Sequence, residues 1–356
     1  MYRKIMDFLE EWKNEEHRKP LILQGARQVG KTYAILEFGR IHYENVAYFN
    51  FETNPKLNET FEENISPDYL IPILSHIAGQ TIVTEKTLIV FDEIQLCERA
   101  LTSLKYFYEE RPDYHIIVAG SLLGVAVNRA RFSFPVGKVD MKTLYPMDLE
   151  EFMIAMGENS LVDQIKKCFE TNESMPSALH DAAMQLYRQY LVVGGMPECV
   201  MQFAETKDYI LIRHTQDTIL ASYLNDMSKY NNLNEIKKTR LAYDNITVQL
   251  SKKNTRFQYK LIKKGGRASE FENAIEWLCL SGIVSQVYKV EQIRKPLENY
   301  RDIDAFKIYV SDLGLLCAKK DIVANDVLYM VEELNDFKGG MVENYVNVQL
   351  TINGYN

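Results

Sequence analysis

Pro20-Leu-Ile-Leu-Gln24-Gly25-Ala26-Arg27-Gln28-Val29-Gly30-Lys31-Thr32-Tyr33 decides how this chain of 356 residues is read. Pro20 to Gln24 is a short apolar run that predicts a buried strand, and Thr32 to Phe38 has the pattern of a helix. Between them, Gly25 to Thr32 fits G-x-x-x-x-G-K-[ST] without departure. Gly25 and Gly30 let the backbone curl, so that the N–H groups of Ala26, Arg27, Gln28 and Val29 turn toward phosphate oxygens. A helix starting near Lys31 brings its positive dipole end to the same anion. Lys31 is then the cation that reaches the β- and γ-phosphates, with a catalytic share in charge stabilisation. Thr32 supplies a hydroxyl to Mg²⁺, and Tyr33 ends the nucleotide-binding stretch.

Working outward, Leu88-Ile-Val-Phe91 is a second buried run, followed directly by Asp92 and Glu93. Open α/β sheets place ligands at the carboxyl ends of their strands, which is where these two carboxylates fall. Asp92 suits Mg²⁺, directly or through water, and Glu93 suits the orientation and deprotonation of an attacking water. A third run, His115 to Ala119, leads through Gly120 to Ser121. Should that strand lie beside the first, Ser121 approaches the γ-phosphate as a sensor; the other reading makes it a loop serine capping the next segment. No N-K-x-D guanine-reading motif is present, so the expected nucleotide is ATP. A carboxylate placed directly after the magnesium aspartate favours hydrolysis over small-molecule phosphorylation.

With Asn45 to Phe51 as a further run, strands alternate with helix-length polar stretches through the first 150 or so residues. That alternation predicts an α/β three-layer fold, a five-strand parallel sheet covered on both faces. Met1 to Lys13 reads as an amphipathic helix. From Met147 helical patterns take over, broken at Val192-Val-Gly-Gly-Met-Pro197 by a turn. Asn234 to Ser251 and Ser269 to Ser281 are further helices, the second with a Ser269/Glu272 capping box and Gly282 as its stop. Ile283 to Val290 and Phe306 to Val310 alternate as a hairpin, which suggests a winged-helix-like region. The expected division is an ATPase core over 1–146, a helical lid over 147–232, a winged-helix-like domain over 233–335 and the start of a further domain over 336–356.

Composition narrows the class. Hydrophobic residues make up 46% and charged residues 25%, which excludes wholesale disorder. The longest nearly apolar stretch, Ile116 to Val127, is shorter than the roughly 18–20 residues a bilayer span needs, so no membrane helix is expected. Charges interrupt the first 20 residues too often for a secretory signal. Cys97, Cys168, Cys199, Cys279 and Cys317 include no C-x-x-C pair and read as reduced core thiols of a cytoplasmic protein. The six histidines are scattered, and no metal-ligand spacing emerges. Tyr106-Phe107-Tyr108 reads as helix core.

Several blocks together carry a specific resemblance. Leu21 to Thr32, Thr87 to Gln95, Ala119 to Gly124, Phe134 to Val139, Leu144 to Phe152, Val193 to Pro197, Phe306 to Leu316 and Lys338 to Asn344 resemble the prokaryotic AAA-like P-loop ATPases with a C-terminal domain of uncharacterised function. The resemblance covers nearly the whole chain. It implies an ATPase core, a helical lid and a winged-helix-like region, with nucleotide roles for Lys31, Thr32, Asp92 and Glu93. Many relatives carry Gly-Arg where this chain has Gly137-Lys138, and a lysine supplies charge without the planar fork of an arginine finger. Relatives also continue past the helix holding Glu343 into a nuclease-like segment with E-I-D and E-V-K motifs. This chain stops ahead of both, which predicts a truncated C-terminal region.

Charge is unevenly spread. Between Lys237 and Arg267, ten cations face the single Asp244, giving +9 and leaving −17 for the rest of a chain with net charge −8. Such a segment suits DNA phosphates. The neighbouring helix, however, carries Glu270, Glu272 and Glu276, which suits a protein or intramolecular interface instead.

Overall fold

The computed structural model describes residues 1–120, 134–229, 233–250 and 256–355. They divide into two compact units, Arg3–Tyr145 and Pro146–Asn356 with Met1–Tyr2.

The first unit holds β1 (Leu21–Gln24), β2 (Asn45–Asn50), β3 (Thr87–Asp92), β4 (His115–Gly120) and β5 (Asp140–Thr143). All pairings are parallel and the order is β2-β3-β4-β1-β5. Position explains sequence. β3 and β4 are buried at every residue, as an interior strand covered on both faces must be. β2 and β5 are the edges; β2 alternates Ala47 and Phe49 inward with Tyr48 outward, and β5 is polar Asp140-Met-Lys-Thr143. The fifth strand predicted for the sheet therefore has no apolar run to announce it.

Around the sheet lie α1 (Ile5–Lys13), α2 (Lys31–His42), α3 (Lys56–Glu63), α4 (Pro67–Ala78) and α5 (Glu98–Glu110). The predicted N-terminal helix starts at Ile5 rather than Met1, and Arg3 ahead of it turns its guanidinium into the unit. Phe49, Phe51, Phe61 and Phe91 meet at centroid distances of 5.6–5.9 Å and anchor one face of the sheet. Phe107 is core as expected, while Tyr106 and Tyr108 are half-buried.

The second unit runs α6 (Leu149–Ala155), α7 (Asn159–Thr171), α8 (Ser177–Val193), α9 (Pro197–Thr206), α10 (Tyr209–Lys229), α11 (Leu233–Leu250) and α12 (Ala268–Leu280). β6 (Val284–Val290) and β7 (Arg301–Val310) follow, then α13 (Leu313–Lys319), α14 (Ala324–Leu328) and α15 (Asn335–Ile352). The expected hairpin is present as an antiparallel pair with a register shift between Tyr288 and Lys289. The Ser269/Glu272 capping box is not formed. α12 begins at Ala268 after Arg267, so Ser269 already lies inside the helix, and no side chain caps its start. Gly282 does end that helix, its N–H donating to Cys279 O at 2.9 Å. A full capping box occurs instead at Asp148 and Glu151, opening α6.

Two buried polar side chains hold this unit's loops. Asp312 caps α13 by accepting from Leu315 N at 2.8 Å and takes Gly195 N at 2.6 Å, pinning the Gly194-Gly195-Met196-Pro197 turn. Asn344 on α15 forms a two-way amide pair with Val310, accepting from its N–H at 2.8 Å and donating to its carbonyl at 2.9 Å.

Candidate nucleotide site

The carboxyl ends of the strands align along one edge of the first unit. Gln24 is in register with Gly120 on one side and Thr143 on the other, and Asn50 with Asp92. The loop leaving β1 is Gly25–Gly30. Gly25 has φ +145°, and a Cβ there would stand 2.1 Å from Leu144 O, so no side chain fits. Gly30 has φ +89° and is the N-cap of α2. The first residue of that helix is Lys31, whose buried ammonium donates to Gly25 O at 2.8 Å and Ala26 O at 2.7 Å. Its charge is thereby held within the curl of the loop. Tyr33, one turn face away, is exposed.

Strand β3 delivers the carboxylates. Asp92 is buried, and its Oδ2 accepts from the Thr32 hydroxyl at 2.9 Å and the Tyr48 hydroxyl at 2.7 Å. Its Oδ1 accepts from Glu93 N at 3.0 Å. Burial, reinforced by the bond to Asp92 and opposed by one from Asn50, pushes the Tyr48 phenol up to about 12, so at neutral pH it stays a donor. Glu93 has φ +53°, a left-handed conformation costing a non-glycine residue about 1 kcal/mol. It precedes a single 3₁₀ turn, Ile94–Leu96, from which the Gln95 amide donates to the Glu93 carboxylate. The hydroxyl of Thr32 and the carboxylate of Asp92 are hard oxygen donors side by side, a set that suits Mg²⁺. A glycine loop closed on a lysine, an oxygen pair and a held carboxylate are groups that suit a phosphoanhydride.

Residues 17–153 match the model of an AAA domain family, and residues 184–326 match a domain of unknown function, DUF8612. This chain therefore carries an AAA domain. The domain matched over residues 184–326 has no assigned function. The Walker-type ATPase PABY2304 of Pyrococcus abyssi shares the fold, at 14% identity over 90% of this chain and 95% of its own, with a TM-score of 0.54. More distant are the ORC2 protein of Aeropyrum pernix (12% identity, 87% and 88% coverage, TM-score 0.38) and the Thermotoga maritima RuvB Holliday junction branch migration motor (14%, 83% and 88%, 0.32). No curated protein sequence matches the chain.

In the AAA domain, β4 does lie beside β1, as the sensor reading of Ser121 requires, but Ser121 itself is outside the described residues. Lys138 pairs with Glu109 at 2.9 Å. Of the basic segment, Lys252 and Lys253 are outside the described residues; Lys238 pairs with Glu235 and Lys263 with Glu270, while Lys237, Arg256, Lys260, Lys264 and Arg267 are exposed. Among the described residues no helix is long and apolar enough to cross a membrane.

Four residues of the first unit were not singled out from sequence. Tyr48 and Asn50 share the outward face of β2, a relation that period-two alternation along Asn45–Asn50 would have exposed. Gln95 lies two residues beyond Glu93, close enough to look for. Arg3 gives no sequence signal; its buried guanidinium donates to Val29 O at 3.1 Å and Tyr145 O at 2.8 Å, clamping the glycine loop from behind.

Proposed function

We propose that this chain binds ATP with Mg²⁺ in the Gly25–Tyr33 loop and hydrolyses it, using the cycle as a conformational switch. The observation that carries the reading is the Thr32–Asp92 hydrogen bond, which unites the loop and the carboxylate strand in one oxygen-donor pair. In this reading the backbone N–H groups from Gly25 to Gly30 bind the phosphates, Lys31 stabilises charge on the β- and γ-oxygens, and Thr32 and Asp92 hold the cation. Mg²⁺, when bound, neutralises charge on the leaving phosphates. Glu93, steadied by Gln95, orients the attacking water and takes its proton. Ser121 is the candidate γ-phosphate sensor, and the regions over 147–232 and 233–335 are the lid and winged-helix-like parts that respond. Cys97, Cys199 and Cys317 are core as expected while Cys168 and Cys279 are half-buried, and the five free thiols suit a reducing cytoplasm.

Steady-state phosphate release tests this directly, with Lys31→Ala as the blank. Glu93→Gln is expected to retain ATP binding and lose turnover about 10²-fold or more. Turnover equal to wild type removes Glu93 from the mechanism.

A second reading makes the chain a nucleotide-gated binding module with negligible turnover. The exposed cations Arg256, Lys260, Lys264 and Arg267 favour an acidic partner such as DNA or a protein. The two lysines already paired with Glu235 and Glu270 weaken the field available to it. A salt titration of DNA binding, repeated on a variant with those four exposed cations neutralised, decides: a slope that does not change removes DNA from the reading.

A further inference from the structure

We propose that Tyr48 is a positioning residue for the Asp92 carboxylate, and that it sets how readily the site takes a divalent cation beside a nucleotide. The proposal rests on the Mg-nucleotide reading above and adds to it a residue outside both the loop and the carboxylate strand.

The geometry is a directed chain of hydrogen bonds along the outward face of β2. Glu52 N and Thr53 N both donate to Asn50 Oδ1 at 2.9 Å, which fixes which end of that amide is oxygen. The Asn50 Nδ2 is thereby turned to Tyr48, where it donates to the hydroxyl oxygen at 3.2 Å. With its oxygen engaged as an acceptor, the Tyr48 hydroxyl spends its one proton on Asp92 Oδ2 at 2.7 Å. Each bond fixes the polarity of the next, so the turn after β2 orients a carboxylate on the neighbouring strand. Register makes this direct, because Asn50 stands opposite Asp92 and Tyr48 opposite Val90.

A carboxylate held at both oxygens cannot rotate about its last bond without breaking a contact. Thr32 and Glu93 N supply one donor to each oxygen, yet the Thr32 hydroxyl must also offer its own oxygen to the cation. Tyr48 has no such second duty. Among the described residues its proton goes to Oδ2 alone, and it keeps Asp92 aimed while Thr32 offers its oxygen to the metal. Loss of a hydrogen-bond partner that orients a metal ligand typically costs about 10–100-fold in metal affinity.

The test uses the full chain and binding of a fluorescent ADP analogue, measured in EDTA and across a Mg²⁺ titration. For Tyr48→Phe, which keeps the ring, affinity in EDTA is expected to stay within about twofold of wild type. The Mg²⁺ concentration that gives half of the metal-dependent change is expected to rise about tenfold. Asn50→Ala, which leaves Tyr48 in place but unaimed, is expected to shift the midpoint in the same direction by less. An unchanged or lowered midpoint in Tyr48→Phe overturns the proposal, as does an equal loss of affinity in EDTA. Wild-type protein that binds no nucleotide at all instead overturns the reading on which it rests.

Discussion

The Thr32 hydroxyl donates to Asp92 Oδ2 at 2.9 Å, joining the first turn of α2 to the last residue of β3 across 60 residues of sequence. One side chain thus serves two elements. Thr32→Val keeps the shape and deletes the hydroxyl, so Mg-dependent ATP turnover should fall about 10–100-fold, while Thr32→Ser should stay close to wild type. Phosphate release at graded Mg²⁺ checks this, and equal losses in both variants would point to packing rather than to the oxygen.

Gln95 should matter to rate and not to binding. Its amide donates to the Glu93 carboxylate, itself set in a left-handed residue at the head of a single turn. Gln95→Ala removes one bond that orients that carboxylate, and kcat is expected to drop about tenfold with nucleotide affinity unchanged. A matching rise in KM would show that the amide shapes the pocket instead.

Arg3 is a stability prediction. Its buried guanidinium bonds the carbonyls of Val29 and Tyr145, so Arg3→Ala leaves two acceptors short of a donor and a gap behind the phosphate loop. The expected cost is about 2–4 kcal/mol, read by chemical unfolding, with weakened nucleotide binding as a companion effect. Arg3→Lys can reach one carbonyl and should recover part of both.

Asp312 predicts a pH dependence. Complete burial pushes its carboxyl from 3.8 up to about 6, although the backbone N–H groups of Leu315, Gly195, Gly314 and Met196 pull the other way. The folded chain therefore holds this proton more tightly than the unfolded chain does. The resulting contribution to stability is full below about pH 4 and is lost as pH rises through 6. Relative to Asp312→Asn, wild-type unfolding free energy should fall by about 1–1.5 kcal/mol between pH 5 and pH 7.5. A constant difference between the two proteins across that range would refute the raised value.

The legible parts of this molecule were those where one residue type answers one physical demand. Gly25 must lack a side chain because Leu144 O occupies its place, Lys31 must be cationic, and β3 and β4 must be apolar because both of their faces are covered. These requirements leave marks that can be read without coordinates. β5 was hidden because an edge strand may be polar, and Arg3 because nothing local requires it; its partners lie 26 and 142 residues away. The Ser269/Glu272 pattern misled for the opposite reason. Its spacing was right, but the helix began one residue early, at Ala268, and a capping residue inside a helix has no free N–H to serve. Tyr48 and Asn50 were within reach, since alternation along β2 puts both on one face; what sequence lacks is the strand that face adjoins.

The amide pair between Asn344 and Val310 has an outcome for the chain's behaviour in a crowd of copies. β7 has β6 on one side, and its other margin would offer bare N–H and carbonyl groups to any extended peptide. Asn344 occupies both groups of Val310, and Phe257 N takes the carbonyl of Phe306 at 2.7 Å four residues earlier. A foreign strand seeking to add there finds its anchoring points already taken, one by a helix and one by the chain entering from α11. That margin of β7 is thus blocked at two points, by a side chain that imitates a strand and by the backbone at Phe257.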